Sequence, residues 1–158
     1  MLHILRIYPE TIVDGTGIRY SIYLSGCSHR CPECHNPESW NPKMGEPLTD
    51  ERISAIIQEI NNNPLLDGVT FSGGDPLYNP REFLLLVKRI KKATHQNIWC
   101  YTGYRYDEIL SRPDLSVVLP YIDVLVDGKF DKSRKSPYLN FRGSENQRII
   151  QIRQNAGW

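Results

Sequence analysis

Long apolar runs are missing from this 158-residue chain. No stretch approaches the roughly 20 apolar residues that a membrane-spanning helix needs. Residues 1–10 lack the hydrophobic run of a secretory leader, so a cytoplasmic protein with no membrane partner is expected. Net charge is nearly absent as well: 19 basic against 18 acidic side chains leave +1. That balance predicts no polyanionic partner such as nucleic acid, and the short basic runs at 88–92 and 132–135 read as solvated faces. Internal repeats and low-complexity linkers are also lacking. Cysteine is scarce, with four residues, but three of them fall within eight positions. In a reducing compartment such crowding points to a metal rather than to a disulfide framework.

What is present is the composition of a folded domain. Apolar residues make up 40% of the chain, enough to exclude disorder, and the length suits one domain over residues 1–158. Strand and helix patterns alternate. Residues 17–25 (GIRYSIYLS) read as a strand. Residues 49–60 read as a helix, with Ile53, Ile56, Ile57 and Ile60 in one stripe, Thr49 as cap and Leu48 as staple. Residues 68–72 (GVTFS) form a buried-type strand ending at Gly73-Gly74. A second helix starts at the Asn79 cap with Pro80 in its first turn and Glu82 reaching back, and carries Phe83, Leu86, Val87 and Ile90 on its inner face as far as about Lys92. Strands follow at 97–101 and 121–126, with a short helix at 106–110 between them and a last strand at 147–152. This alternation implies an α/β fold with a mostly parallel sheet. A closed eight-fold barrel needs roughly 200 residues or more, so a partial, open (β/α) barrel or a curved sheet is expected. The cysteine loop, Gly73-Gly74-Asp75, Thr102-Gly103 and Asp127-Gly128 all follow the C-terminal ends of expected strands, the edge where parallel α/β folds bind ligands.

The cysteine loop contains Cys27, Cys31 and Cys34, a C-x3-C-x2-C spacing. Three thiolates on one loop suit three irons of a cubane cluster and leave the fourth iron open, whereas fully cysteine-ligated clusters use four. An open position is what a metal needs in order to bind substrate. Other readings stand beside it. A structural zinc would take the three thiolates with His35 or Cys100, Cys31 and Cys34 would form a redox dithiol, or the thiols would simply be buried. A zinc-stabilised protein-binding module is therefore an alternative function. Cys100, mid-strand, reads as a core residue, and Asp127 as a turn acid or, at its strand end, as a residue that binds a ligand or cation.

With these motifs the chain resembles the radical S-adenosylmethionine superfamily, whose signature is C-x3-C-x2-C after a first strand. Residues 71–77 (FSGGDPL) look like that superfamily's second motif, a Gly-Gly-acid turn. Residues 14–19 (DGTGIR) look like the D-G-x-G-x-R element of glycyl-radical-enzyme activases, as does the loop ending Cys34-His35-Asn36. Among those activases the chain is most similar to the activating proteins of the anaerobic (class III) ribonucleoside-triphosphate reductase, through WCYTGY at 99–104, VLVDGKF at 124–130 and FRGSENQ at 141–147. Activation of another glycyl radical enzyme is the nearby alternative.

The resemblance implies a [4Fe-4S] cluster on Cys27, Cys31 and Cys34 that reductively cleaves S-adenosylmethionine, and a radical that takes a hydrogen atom from a glycine of the reductase. The protein's share of such chemistry is positioning and electronic tuning. Glu33, Cys34, His35, Ser72, Gly73, Gly74 and Asp75 are expected to bind S-adenosylmethionine. Many superfamily members carry an aromatic residue just before the third cysteine. This chain has Glu33 there, so backbone contacts at Glu33 and the ring of His35 are expected to frame the adenosyl group. Asp14, Gly15, Gly17 and Arg19 are expected to seat the glycine loop of the partner, the large subunit of the reductase. An electron donor such as a flavodoxin-like protein is also implied. So small an open barrel leaves its reactive site to water, so a large partner is expected to cover it.

Overall fold

Seven strands are joined in one sheet in the computed structural model, which describes residues 1–27, 41–136 and 138–152. They are β1 (His3–Thr11), β2 (Arg19–Leu24), β3 (Glu46–Pro47), β4 (Gly68–Gly73), β5 (Asn97–Tyr101), β6 (Val124–Asp127) and β7 (Arg148–Gln151). Their order is β3-β1-β2-β4-β5-β6-β7, and the sheet does not close. The helices are α1 (Asp50–Asn61), α2 (Pro80–Thr94), α3 (Tyr106–Ser111) and α4 (Pro113–Ser116). None is long and apolar enough to cross a membrane, among the described residues.

The expectation of a mostly parallel sheet is corrected to a mixed one. The β2–β4, β4–β5 and β5–β6 ladders are parallel, and the β1–β2, β1–β3 and β6–β7 ladders are antiparallel. The reason lies in the connections. Parallel neighbours need a long crossover, which α1, α2 and the α3–α4 pair supply, whereas β1 and β2 are joined by a short turn that permits only a hairpin. Pro9 cannot donate to a ladder and falls in the stretch between Tyr8 and Thr11 where the β1–β2 register shifts.

The two long helices begin where the sequence says they should. Thr49 accepts a hydrogen bond from the Arg52 amide at 3.2 Å and starts α1. Asn79 accepts from the Glu82 amide at 3.4 Å, and Pro80 opens α2. The Glu82 carboxylate, expected to reach back to the cap, pairs with the Met1 ammonium at 2.7 Å. The strand expected at 121–126 is shorter. Pro120 sits in a 3-10 turn, Leu119–Tyr121, and the chain becomes a strand only at Val124.

Period-two alternation gives the sheet two unlike faces. On one, Tyr20, Ile22 and Leu24 of β2, Val69 and Phe71 of β4, and Ile98 and Cys100 of β5 share a single core with Ile56, Ile60, Phe83, Leu86, Val87 and Ile90 of the helices. Burial of each such aliphatic or aromatic side chain contributes about 1.5–3 kcal/mol, so this face holds the fold. On the other, Trp99, Val124 and Val126 form a smaller cluster with Tyr101, Phe141 and Ile149, next to the buried polar residues Arg19, Ser21 and Thr70. That polar face has loops rather than helices against it, and the site lies along its upper edge.

Candidate functional site

The C-terminal end of β2 delivers the chain into Ser25-Gly26-Cys27, and Cys27 is half-buried. Cys31, Glu33, Cys34 and His35 lie outside the described residues. The turn after β4 is hydrogen-bonded to the approach to Cys27. The Gly74 amide donates to the Leu24 carbonyl at 2.8 Å, and the Asp75 amide donates to the Gly26 carbonyl at 2.7 Å. Gly73 takes φ +113°, and a Cβ there would collide with the Leu24 backbone. Only glycine lets the two strand ends come this close. The fold thus brings Cys27 and the Gly73-Gly74 turn together. Ser72, half-buried, pairs across the ladder with Tyr23.

Asp75 is 2% exposed and its carboxylate is heavily bonded. It accepts from the Thr102 hydroxyl at 2.9 Å, the Gly103 amide at 3.0 Å and the Leu77 amide at 2.9 Å, which caps a 3-10 turn at Pro76–Tyr78. It therefore ties the end of β4 to the end of β5. The Asp75 charge and, above all, burial push the Cys100 thiol well above its ordinary range. Cys100 is fully buried in the helix-side core, as expected of it.

The turn at residues 14–19 is also internally committed. Tyr23 donates to the Asp14 carboxylate at 2.8 Å, and Thr70 donates to the Asp14 carbonyl at 2.7 Å. Gly15 lies against the Arg19 side chain and the Trp99 ring, with no room for a Cβ, and Gly17 lies under the Asp67 carboxylate. Arg19 is 1% exposed. Its Nε donates to the Thr70 hydroxyl at 2.8 Å, Nη1 to the Thr16 carbonyl at 3.0 Å and Nη2 to Asn97 Oδ1 at 2.9 Å, and the guanidinium stands 5.4 Å from the Trp99 ring centre. Burial pushes its pKa down to about 10. Of the four residues expected at the partner's loop, Arg19 points inward and shapes the turn, while Asp14 lines a cavity of about 520 Å³ with Tyr101 and residues 139–143.

Asp127 is 1% exposed and accepts from the Tyr106 amide at 2.8 Å and Arg148 Nε at 3.1 Å, so it fastens β6 to β7 and α3. Composition and motif reading placed Thr102 at the strand-end edge where ligands bind and gave no role to Tyr23, Tyr101 or Arg142. The period-two pattern of β2, which turns Arg19, Ser21 and Tyr23 away from the helices, was the available signal for Tyr23. Tyr101 and Arg142 carry buried polar atoms, Oη and Nε, with no hydrogen-bond partner among the described residues. Burial, with the Asp14 and Tyr23 charges adding to it, raises the Tyr101 phenol far above its ordinary range, so it stays protonated and remains a donor.

The strand-end thiol beside a glycine turn belongs to an open α/β domain, and the comparisons supply its class, a 4Fe-4S cluster domain. Residues 13–150 match the model of the 4Fe-4S single cluster domain family. The anaerobic ribonucleoside-triphosphate reductase-activating protein of Salmonella typhi is 43% identical over 152 residues, covering 94% of this chain and 97% of that protein. Its counterpart from Escherichia coli (strain K12) is 41% identical over the same coverage, and that of Enterobacteria phage T4 is 35% identical over 91% of this chain and 90% of its own length. The chain belongs to the family of anaerobic ribonucleoside-triphosphate reductase-activating proteins.

Proposed function

We propose that this chain is an activase that uses a [4Fe-4S] cluster and S-adenosylmethionine to place a glycyl radical on an anaerobic ribonucleoside-triphosphate reductase. Residues 1–158 are read as a single radical S-adenosylmethionine domain, and the open mixed sheet as a partial barrel of that type. The observation that carries the reading is the pair of hydrogen bonds from Gly74 and Asp75 to Leu24 and Gly26. They hold a side-chain-free turn against the chain that leads to Cys27, which is the proximity a cluster-bound cosubstrate needs.

Cys27, Cys31 and Cys34 are the proposed ligands. Thiolates are the donors iron–sulfur clusters take, and three of them leave one iron for the cosubstrate. Bound there, the cluster supplies a single electron for cleavage of the sulfonium. The remaining work falls to the chain. Ser72, Gly73 and Gly74 present backbone to the methionine group, with Gly73 allowing the closest approach. Asp75 holds that turn rigid through Thr102 and Gly103 and adds negative charge near the ammonium. Glu33, Cys34 and His35 are proposed to frame the adenosyl group, and Asp14, Gly15, Gly17 and Arg19 to form and buttress the seat of the partner's glycine loop. A flavodoxin-like electron donor and a cytoplasmic location complete the proposal.

The test is anaerobic. The purified protein is reconstituted with iron and sulfide, reduced and given S-adenosylmethionine. Release of 5′-deoxyadenosine and methionine is the expected result. A colourless zinc protein that releases neither is the result that sinks the reading in favour of a zinc-stabilised binding module.

A further inference from the structure

Two phenols stand on the polar face of the sheet, one row below the Gly73-Gly74 turn. Tyr23 pairs with Ser72 across the β2–β4 ladder. Tyr101 follows Cys100 as Ser72 follows Phe71, and Cys100 and Phe71 are themselves paired across the β4–β5 ladder. Side chains alternate along a strand, so Tyr23, Ser72 and Tyr101 leave the same face at the same height. Neighbouring strands lie about 4.8 Å apart. The two rings therefore flank the turn proposed to hold S-adenosylmethionine.

The phenols differ in what holds their hydrogens. Tyr23 donates to the Asp14 carboxylate at 2.8 Å, so its hydrogen is engaged. Tyr101 Oη is buried with no hydrogen-bond partner among the described residues. Burial above all raises this phenol far beyond its ordinary range, so it keeps its hydrogen and does not lose a proton alone. A phenol with no base beside it is oxidised by giving up proton and electron together, to one acceptor. A carbon-centred radical is such an acceptor. The transfer runs downhill, because the unpaired electron is localised on a primary carbon and delocalised over a phenoxyl ring. The neighbours keep the oxidised residue where it forms. Trp99, its ring centre 6.5 Å from that of Tyr101, is an onward step for an electron hole. The Arg19 guanidinium, 5.4 Å from the Trp99 ring centre, opposes positive charge there.

We infer that Tyr101 is an internal hydrogen-atom donor that ends the cleavage events no partner intercepts. The 5′ carbon of the adenosyl fragment gains the phenolic hydrogen as a new C–H bond. The Tyr101 O–H bond breaks, and a neutral phenoxyl radical stays on the ring as 5′-deoxyadenosine departs. One electron from the reductant that serves the cluster, with one proton from water, restores the phenol. The inference rests on the activase reading and adds to it a repairable outlet, in place of irreversible hydrogen loss from the chain's own carbons.

The test gives S-adenosylmethionine to the reconstituted, reduced holoprotein in deuterium oxide, without reductase and without thiols. Phenolic hydrogens exchange with the solvent and carbon-bound ones do not, so the isotope content of the released 5′-deoxyadenosine, read by mass spectrometry, identifies the donor. Most of the wild-type product is expected to carry a single deuterium. Tyr101→Phe removes one oxygen and nothing else, and lowers the deuterated fraction about five-fold. Its Tm, measured before reconstitution, is equal to the parent's or higher, because a buried hydroxyl without a partner has been removed. Tyr23→Phe and Cys100→Ala, which remove the other exchangeable hydrogens near this strand row, keep the deuterium. Deuterium-free product from the wild-type protein overturns the inference, and so does a Tyr101→Phe product as deuterated as the parent's. A loss in Tyr23→Phe or Cys100→Ala as large as that in Tyr101→Phe overturns it too. A lowered Tm with release abolished marks a packing role for Tyr101 and has the same consequence. If the wild-type protein releases no 5′-deoxyadenosine at all, the activase reading has failed and the inference falls with it. Release without deuterium is a different result, which leaves that reading standing and removes the inference alone.

Discussion

Arg19 bears a full charge while only 1% of its surface meets solvent, and its three nitrogens donate into the sheet and into the turn before β2. A lysine there offers a point charge in place of a planar fork. It cannot serve Thr70, Thr16 and Asn97 together, and each lost charged hydrogen bond costs about 1.5–3 kcal/mol. Arg19→Lys is therefore expected to lower stability by about 3 kcal/mol, read from the midpoint of urea unfolding at unchanged slope. Gly73 is constrained differently. Its φ of +113° and the Leu24 backbone against its α-carbon leave no room for a side chain. Gly73→Ala is expected to cost about 2–3 kcal/mol through strain and overpacking. It should also abolish S-adenosylmethionine cleavage even at temperatures where the protein remains folded by circular dichroism.

At the scale of elements, the joint between the ends of β4 and β5 is one carboxylate held by Thr102, Gly103 and Leu77. Thr102→Val keeps the shape of the side chain and removes the hydroxyl. It leaves Asp75 short of a bond, at a cost of about 1.5–3 kcal/mol. Faster hydrogen exchange of the Gly103 and Tyr104 amides should report the loosened joint, whereas exchange in α1 should be unaffected. The sequence made α1 and α2 legible because each carries its own stripe, cap and first-turn signal within a dozen residues. The four parallel strands were legible because their β-branched and aromatic residues stand between clear turn residues. β1 was not. His3–Thr11 contains Pro9, exposes much of its length and exists as a strand only through its pairing with β2 and β3. Missing that hairpin, together with the antiparallel pairing of the last strand with β6, is what made the sheet look mostly parallel. Within the site, Cys27 and Gly73-Gly74 stood out by spacing. Thr102 was legible as a strand-end residue but not as the partner of Asp75, 27 residues away, and Tyr101 and Arg142 were not legible because their surroundings are formed by distant turns.

For the molecule as a whole, burial governs the response to alkali on the polar sheet face and the helix face alike. Tyr20 and Tyr23 are pushed up by burial first, with their carboxylate partners Glu59 and Asp14 adding to it, and Tyr101 by burial with the Asp14 and Tyr23 charges. Below about pH 10 these phenols are protonated in both folded and unfolded chains and contribute no pH dependence. Above it the unfolded chain releases their protons first, so the folded state binds more protons and stability falls as pH rises. Ultraviolet titration of the folded protein is expected to show three of the nine tyrosines failing to ionise near pH 10 and doing so only with unfolding. Nine tyrosines titrating together while the protein remains folded would contradict the packing described for β2 and β5.

The same architecture puts the Gly73-Gly74 turn against the segment that leads to Cys27, and the account stands on their acting together. The most direct test mixes the reduced, reconstituted protein with S-adenosylmethionine and an anaerobic ribonucleoside-triphosphate reductase and reads the electron paramagnetic resonance spectrum. The account predicts a glycyl radical on the reductase, stoichiometric release of 5′-deoxyadenosine, and loss of both in Cys27→Ala. A glycyl radical that forms equally well with Cys27→Ala, or none with the wild-type protein carrying its full iron and sulfide, would contradict it.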